Sequence, residues 1–180
     1  MTEAPSPTVA AAAGAIDARK VYGIGDAAVH ALAGVTVSFE PGKFTAIMGP
    51  SGSGKSTLLH CLAGILVPDS GEVLVEGREL GGLSERDRSR LRLERMGVVF
   101  QHGDLVPELT LLENVALPAQ LLGRRPAQAR ESAMEMLAAL GVDGVASRRA
   151  GTVSGGQAQR AAVARALAHR PAIVLADEPT

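Results

Sequence analysis

Apolar and polar residues change rhythm along this chain, and each rhythm predicts a different element. From Ile16 the pattern is that of strands: "VTVSFEPGKFTAIMGP" sets Val35, Val37 and Phe39 against Thr36, Ser38 and Glu40, a period of two that suits a half-buried strand. Pro41-Gly42 is a turn signal, and Phe44 to Met48 is a largely apolar run that predicts a strand buried on both faces. A helix is expected from Lys55 to Ala63, then a turn at Pro68 to Gly71. "EVLVEG" alternates again, with Val73 and Val75 on one face. "SERDRSRLRLERMG" opens on Ser84 with Asp87 three places on, a capping box in which Asp stands for the usual Glu. Its charges read as a solvated helix face, with phosphate binding by its arginines the weaker alternative. "GVVF", Gly97 to Phe100, predicts a short buried strand ending at Gln101.

After Pro107 the pattern is mainly helical up to Arg170. Helices are expected at Leu111 to Leu122 (broken or kinked at Pro118), Pro126 to Leu140 and Gly155 to His169. Ala172 to Ala176 then returns to a buried strand. There is no internal repeat and no long linker.

Bulk properties narrow the picture. A chain of 180 residues can bury the core of one domain. A formal net charge of −1 gives no global basic field, which argues against a nucleic-acid partner. The aromatics are Tyr22, Phe39, Phe44 and Phe100, so any base-stacking role falls on one or two residues. The single Cys61 excludes an internal disulfide. No apolar run approaches the roughly 20 residues that cross a bilayer, and "MTEAPSPTVAAAAGAI" lacks the basic start of a secretory signal. Residues 1–14 are expected to be a flexible tail, residues 15–180 one domain, and any membrane role peripheral.

Chemistry enters with "GPSGSGKST", Gly49 to Thr57, which satisfies G-x-x-x-x-G-K-[ST]. A Gly/Ser turn before an amphipathic helix would share this composition; the apolar run before it and the helix after it favour a phosphate-binding loop. Glycines at 49, 52 and 54 let successive N–H groups turn inward, and the following helix adds its positive N-terminal end. In that reading Gly49, Pro50, Ser51, Gly52, Ser53 and Gly54 form the cradle. Lys55 reaches the β- and γ-phosphates, Ser56 binds Mg²⁺ and Thr57 adds a phosphate contact. "AIVLADEPT" ends an apolar run in two acids: Asp177 suits completion of the Mg²⁺ shell, and Glu178 suits polarising an attacking water. A strand-end turn closed by Pro179 is the plainer alternative.

"VSGGQAQR", Val153 to Arg160, makes Ser154 a helix N-cap and leaves N–H groups uncovered at Gly155 and Gly156, a second anion site at a helix start. The helix behind it carries Ala162, Val163, Ala166 and Leu167 at core spacing. Taken in order, "GPSGSGKST", Gln101, "VSGGQAQR" and "VLADEPT" resemble the ATP-binding cassette (ABC) ATPases over residues 16–180. The resemblance implies an α/β phosphate-loop NTPase core with a mixed sheet, an antiparallel β-subdomain and a helical subdomain at about 108–170. It implies that Lys55, Ser56 and Asp177 bind Mg-ATP, that Gln101 contacts Mg²⁺ or water and senses a transmembrane partner, and that Glu178 is the catalytic base. Tyr22 in "RKVYG" would stack on adenine, unless it is a Tyr packed at a strand edge. Ser154, Gly155, Gly156 and Gln157 would close over the triphosphate held by a second copy, making a homodimer.

"VHALAGVTVSFEPGKFTAIMGPSGSGKSTLLHCLAG" and "LSERDRSRLRLERMGVVFQHGDLVPELTLLENVALP" look most like the group serving lipoprotein release, macrolide and antimicrobial-peptide efflux, and cell-division complexes. Members pair with a separate permease at the cytoplasmic face of the membrane, and "HGDLVPELT" would line the groove receiving a permease helix. Val153 and Ala158 depart mildly from the usual signature. The D-loop and switch His of the family have no match here. The chain is therefore expected to be a fragment of a longer protein, its C-terminal part missing, that binds ATP weakly and hydrolyses it hardly at all. Rival readings are a soluble ABC ATPase acting on ribosomes or DNA, a nucleotide-binding module without turnover, and a small-molecule kinase; the last leaves "VSGGQAQR" unexplained.

Overall fold

The computed structural model describes residues 11–101 and 105–178. The fold divides into two compact units between Arg90 and Leu91.

The first unit is built on strands β1 (Ala13–Tyr22), β2 (Val29–Phe39), β3 (Ser70–Val75) and β4 (Arg78–Glu79), in the spatial order β2-β1-β3-β4 with every pair antiparallel. Strand β1 opens at Ala13, inside the stretch expected as a tail; residues 1–10 of that stretch lie outside the described residues. Being central, β1 carries small residues: Ala15 lies opposite Val37 on one side and Val73 on the other, and is fully buried. The alternation read from "EVLVEG" holds, with Val73 and Val75 buried on one face. Helix α1 (Lys55–Leu62) supplies Leu58, Leu59, Cys61 and Leu62 to the same core. At the far end of β1, Asp69 binds both the Lys20 ammonium at 2.7 Å and the Val21 N–H at 2.7 Å. Lys20 first, then that backbone bond, hold the Asp69 carboxyl below its ordinary range.

The buried strand expected at Phe44 to Met48 does not form. The segment has no regular secondary structure and pairs with no strand among the described residues, and Phe44 is 99% and Met48 88% exposed. The physical reason is topological: a run apolar on both faces needs parallel neighbours, and every strand of its own unit is antiparallel.

Helix α2 (Glu85–Arg95) begins with the expected cap: the Asp87 N–H donates to Ser84 Oγ at 3.2 Å, and the Ser84 hydroxyl donates to Asp87 Oδ2 at 2.6 Å. Its end runs straight into the second unit, which holds β5 (Met96–Val99) and β6 (Ile173–Ala176), a parallel pair, with helices α3 (Leu111–Leu121), α4 (Pro126–Ala139) and α5 (Gly155–Ala168). Leu111, Val115 and Leu137 form the fully buried centre of the three helices, packed against Ala129, Ala133, Ala161, Ala164 and Ala168. Pro118 sits inside α3 without ending it, so of the expected break or kink the break is absent.

Helix α5 departs from its expected stripe. Ala162 and Ala166 are buried, but Val163 and Leu167 are only half-buried, and Ala161, Ala164 and Ala168 fill the interior instead. The helix has two buried faces, one on α3 and α4 and one on β5, and alanine is small enough for both. Gly97 in β5 permits the second approach: a Cβ there would lie 2.1 Å from the Ala166 carbonyl oxygen. Strand β6 is half-exposed rather than buried, with Val174 47% exposed, because β5 is its single strand neighbour among the described residues.

Candidate active site

In the first unit the loop Gly49–Gly54 turns directly into α1. Gly54 is the N-cap of α1 at φ +89° with no side-chain cap, and a Cβ there would lie 2.1 Å from the Ala31 carbonyl oxygen. Only glycine meets both demands, the left-handed backbone and the close approach. The result is a helix start whose first N–H groups no side chain of the cap occupies, the arrangement that receives an anion. The loop closes by a Ser53 N–H donated to the Pro50 carbonyl at 3.3 Å. The Lys55 ammonium folds back over it, donating to the carbonyls of Gly49 at 3.0 Å and Pro50 at 2.9 Å. Ser51, Gly52 and Ser56 are exposed and Thr57 half-buried. Gly52, at φ +78°, has open space where a Cβ would project. Tyr22 ends β1 in the same unit, opposite Val29, and is 42% exposed, so its ring is available to a planar ligand.

In the second unit, parallel strands β5 and β6 deliver their C-terminal ends side by side, which is where open α/β sheets hold their ligands. The Asp177 N–H extends the ladder by donating to the Val99 carbonyl at 2.9 Å, fixing the half-buried Asp177 at the strand end. Glu178 follows in a left-handed conformation, φ +44°, uncommon for a residue with a side chain. Its Oε2 accepts from Gln101 Nε2 at 2.8 Å. Two residues 77 apart in sequence, one after each strand, are thus in direct contact. Residues 102–104 and 179–180 of the quoted motifs lie outside the described residues.

The third expected site is the start of α5, also in the second unit. Ser154 caps it: its Oγ accepts the Gln157 N–H at 3.3 Å, and its own N–H donates to Gln157 Oε1 at 3.1 Å. This reciprocal box gives Gln157 a capping role that its place in "VSGGQAQR" had not suggested. A Cβ added at Gly155 would meet no atom within 4 Å, and one at Gly156 would meet only an Arg160 nitrogen at 3.9 Å.

The donor chemistry fits Mg²⁺: hydroxyl, carboxamide and carboxylate oxygens are the hard ligands this cation takes, completed by phosphate and water. Among the described residues no cluster of three His, Cys, Asp or Glu exists to compete as a metal site.

Comparison with protein families matches residues 32–180 to the family described as ABC transporter. The chain belongs to the ABC transporter ATP-binding family. Among curated proteins it is 44% identical over 163 residues to the lipoprotein-releasing system ATP-binding protein LolD of Paramagnetospirillum magneticum, covering 90% of this chain and 72% of that one. It is also 44% identical over 165 residues to an uncharacterized ABC transporter ATP-binding protein of Thermotoga maritima, covering 92% and 70%. Among solved structures it matches the dimeric ATP-binding cassette MJ0796 in a post-hydrolysis state bound to ADP and Pi, with TM-score 0.89 and 37% identity over 93% of this chain and 74% of that one. A second dimeric structure of MJ0796, described as a bacterial ABC transporter cassette, gives TM-score 0.89 and 38% identity over the same shares. ADP and Pi are the products of ATP hydrolysis, the reaction of full-length members of this family. The α/β phosphate-loop fold of an ABC cassette is thereby established for this chain.

One residue of the second unit stands outside every motif quoted from the sequence. Asn114 is fully buried in α3, between Leu111 and Val115 of the core, and makes four hydrogen bonds to the loop before the helix. Its only signal is a polar side chain on the apolar face of "LLENVAL", which a helical wheel alone does not interpret.

Proposed function

We propose that this chain is the ATP-hydrolysing motor subunit of a membrane exporter or mechanical-signalling complex, acting on a separate permease from the cytoplasmic face of the membrane as one of two identical subunits. The observation that carries it is the uncapped, glycine-built start of α1 with the Lys55 ammonium lying across the loop. Among the described residues no helix is long and apolar enough to cross a membrane, which suits a subunit that works through a permease.

In this reading the N–H groups of Gly49 to Thr57 and the Lys55 ammonium hold the phosphates, and Tyr22 stacks on adenine. Ser56, Gln101 and Asp177 hold Mg²⁺, which supplies charge neutralisation at the β- and γ-oxygens when bound. Glu178 accepts the proton of the attacking water. Its present bond to Gln101 occupies one carboxylate oxygen and leaves the other to take that proton. Ser154, Gly155, Gly156 and Gln157 contact the triphosphate of the other subunit; the bare glycines leave room for that approach. The LolD relative supports lipoprotein release as the kind of work done, and the dimeric MJ0796 structures support the two-subunit arrangement.

The test is Mg-ATP turnover by the full-length protein as a function of its concentration. Two-subunit catalysis requires the rate per subunit to rise with protein concentration before it levels off. Glu178→Gln should lower turnover by about a hundredfold or more while retaining nucleotide affinity. Ser154→Arg, which crowds the capping surface, should remove the concentration dependence. A rate per subunit independent of concentration, or unaltered by Glu178→Gln, overturns the reading.

A further inference from the structure

The loop that follows Gln101 and the segment that leads into the signature "VSGGQ" are far apart in sequence, yet they are tied together inside the second unit. Residues Pro107 to Leu112 are tied by backbone hydrogen bonds to residues 146–151. The Leu111 N–H donates to the Arg148 carbonyl at 2.9 Å, Leu112 to Ala146 at 3.0 Å, Ala150 to Leu109 at 2.9 Å and Gly151 to Pro107 at 3.4 Å. Thr110 and Arg149 form an antiparallel bridge between them. From Ala150 a single helical turn, Ala150–Thr152, reaches Val153 and the Ser154 cap. Leu105 and Val153, at the two outer ends of this connection, pack on the same helical core.

The loop itself has little to hold it from outside, since Val106, Pro107 and Glu108 are exposed. What grips it is Asn114. Its Oδ1 accepts the Val106 N–H at 2.8 Å, and its Nδ2 donates to the carbonyls of Val106 at 3.0 Å, Thr110 at 3.0 Å and Leu109 at 3.3 Å. Val106 is thus held on both backbone polar groups, as a ladder partner would hold it. Two amide hydrogens serve three carbonyls, so one bond is shared. A carboxamide is the side chain that can both accept and donate here; Asp, Leu or Ser each loses half or all of the pattern.

We propose that Asn114 is a positioning residue: by fixing Val106, Leu109 and Thr110 on α3 it holds the loop in register for its backbone bonds to the segment 146–151, making the two a single strut, so that displacement of the loop is delivered to the signature at 153–157. The consequence for transport rests on the function proposed above, in which the signature faces the other subunit's ATP, and on the expectation that this loop lines the groove receiving a permease helix. The strut is a property of the fold and is testable without either partner.

The experiment is amide hydrogen exchange on the purified chain without nucleotide, comparing the parent with Asn114→Leu and Ala150→Pro. Arg149 is extended (ψ 141°) and Ala150 opens a helical turn, so proline fits that backbone while deleting the bond from Ala150 N–H to Leu109. The reporters are Ser154 and Gln157, whose N–H groups are held by the capping box. Asn114→Leu should speed exchange by about tenfold at Val106, Leu111 and Ala150 and also at Ser154 and Gln157, with β1 amides within about twofold of the parent. Ala150→Pro should speed Ser154 and Gln157 while Val106, still gripped by Asn114, stays protected. Acceleration confined to residues 106–112 in Asn114→Leu, with Ser154 and Gln157 unmoved, overturns the strut and leaves Asn114 a local packing residue. Should Asn114→Leu exchange fast throughout, Ala150→Pro decides alone: faster reporters uphold the strut, unmoved reporters refute it. Neither result bears on whether the signature meets ATP, which Ser154→Arg turnover reads separately.

Discussion

Removing the Lys55 charge is the sharpest perturbation of the proposed nucleotide grip. In Lys55→Met the stem keeps its length and apolar contacts but the ammonium is lost. In the structure that ammonium donates to the carbonyls of Gly49 and Pro50, leaving one of its three hydrogens for a phosphate oxygen. A hydrogen bond to a charged partner is worth about 1.5–3 kcal/mol, so losing this single bond predicts a fall in ATP affinity of about 10- to 150-fold. Exchange of either carbonyl for a second phosphate oxygen would enlarge the loss, so the figure is a lower bound. Folding should respond differently. Gly49 and Pro50 are exposed, and water can replace Lys55 at both carbonyls. The thermal midpoint without nucleotide should therefore move by no more than about 2 °C, the response to well under 1 kcal/mol in a chain of this size. The assay is titration of a fluorescent ATP analogue at fixed salt against parent and variant, with a melting curve of each. Equal affinity would refute the proposed grip; a lower affinity that simply tracks a collapsed melting curve would show that Lys55 acts on folding rather than on ligand.

Further outcomes follow from other contacts. Gly97→Ala puts a Cβ 2.1 Å from the Ala166 carbonyl oxygen and 3.1 Å from Pro171 Cγ, backbone and ring atoms that cannot swing aside. The overpacking should cost about 3 kcal/mol, the upper part of the usual range, and lower the melting midpoint by roughly 6–12 °C; a shift under about 1 °C would show that α5 does not sit on β5. Ser154→Ala removes the acceptor of the Gln157 N–H and should cost about 1 kcal/mol, or roughly 2–4 °C, in a melting curve. His169 is buried at the end of α5, and burial first of all holds its pKa below the ordinary value of 6.5, while backbone bonds to Met96 and Arg165 act against it and Arg124 assists. The unfolded chain therefore takes up the proton first, so the stability is present above pH 6.5 and is lost as pH falls through the depressed folded value. Urea midpoints of the parent should decline below pH 6.5 more steeply than those of His169→Asn; parallel curves would show that the buried ring is not what titrates.

The elements legible in the sequence were those fixed by short-range signals. The start of α1 follows from the glycines and Lys55, the start of α5 from Ser154, and the inward face of β3 from the alternation at Val73 and Val75; each lies where the pattern put it. What failed depended on neighbours that no local window contains. Phe44 to Met48 has the composition of a buried strand but lacks a parallel partner within its unit. Val163 and Leu167 have core spacing, yet α5 is clasped on two sides, and a helix buried on two faces selects for the smallest residues rather than the largest. Asn114 carries no legible signal because its meaning lies in the carbonyls of a preceding loop, which become a set of acceptors only once the loop has closed over the helix.

The glycines separate what the fold needs from what a ligand would need. At Gly54 and Gly97 an added Cβ would strike backbone of this chain, each at 2.1 Å, so folding alone explains them. At Gly52 the space is open but the backbone, at φ +78°, still calls for glycine; at Gly155 a Cβ would meet nothing within 4 Å, and at Gly156 only the tip of Arg160. At Gly155 and Gly156, the first two residues of α5, glycine still loses more conformational freedom on folding than alanine, at a cost below the about 0.5–1 kcal/mol of a mid-helix position. With no internal contact to offset that cost, folding alone favours alanine at both positions. Gly155→Ala combined with Gly156→Ala should accordingly raise the melting midpoint while abolishing ATP-dependent association of two subunits. A double variant that is more stable and associates as well as the parent would leave these glycines without a reason, and would remove the proposed contact across the dimer.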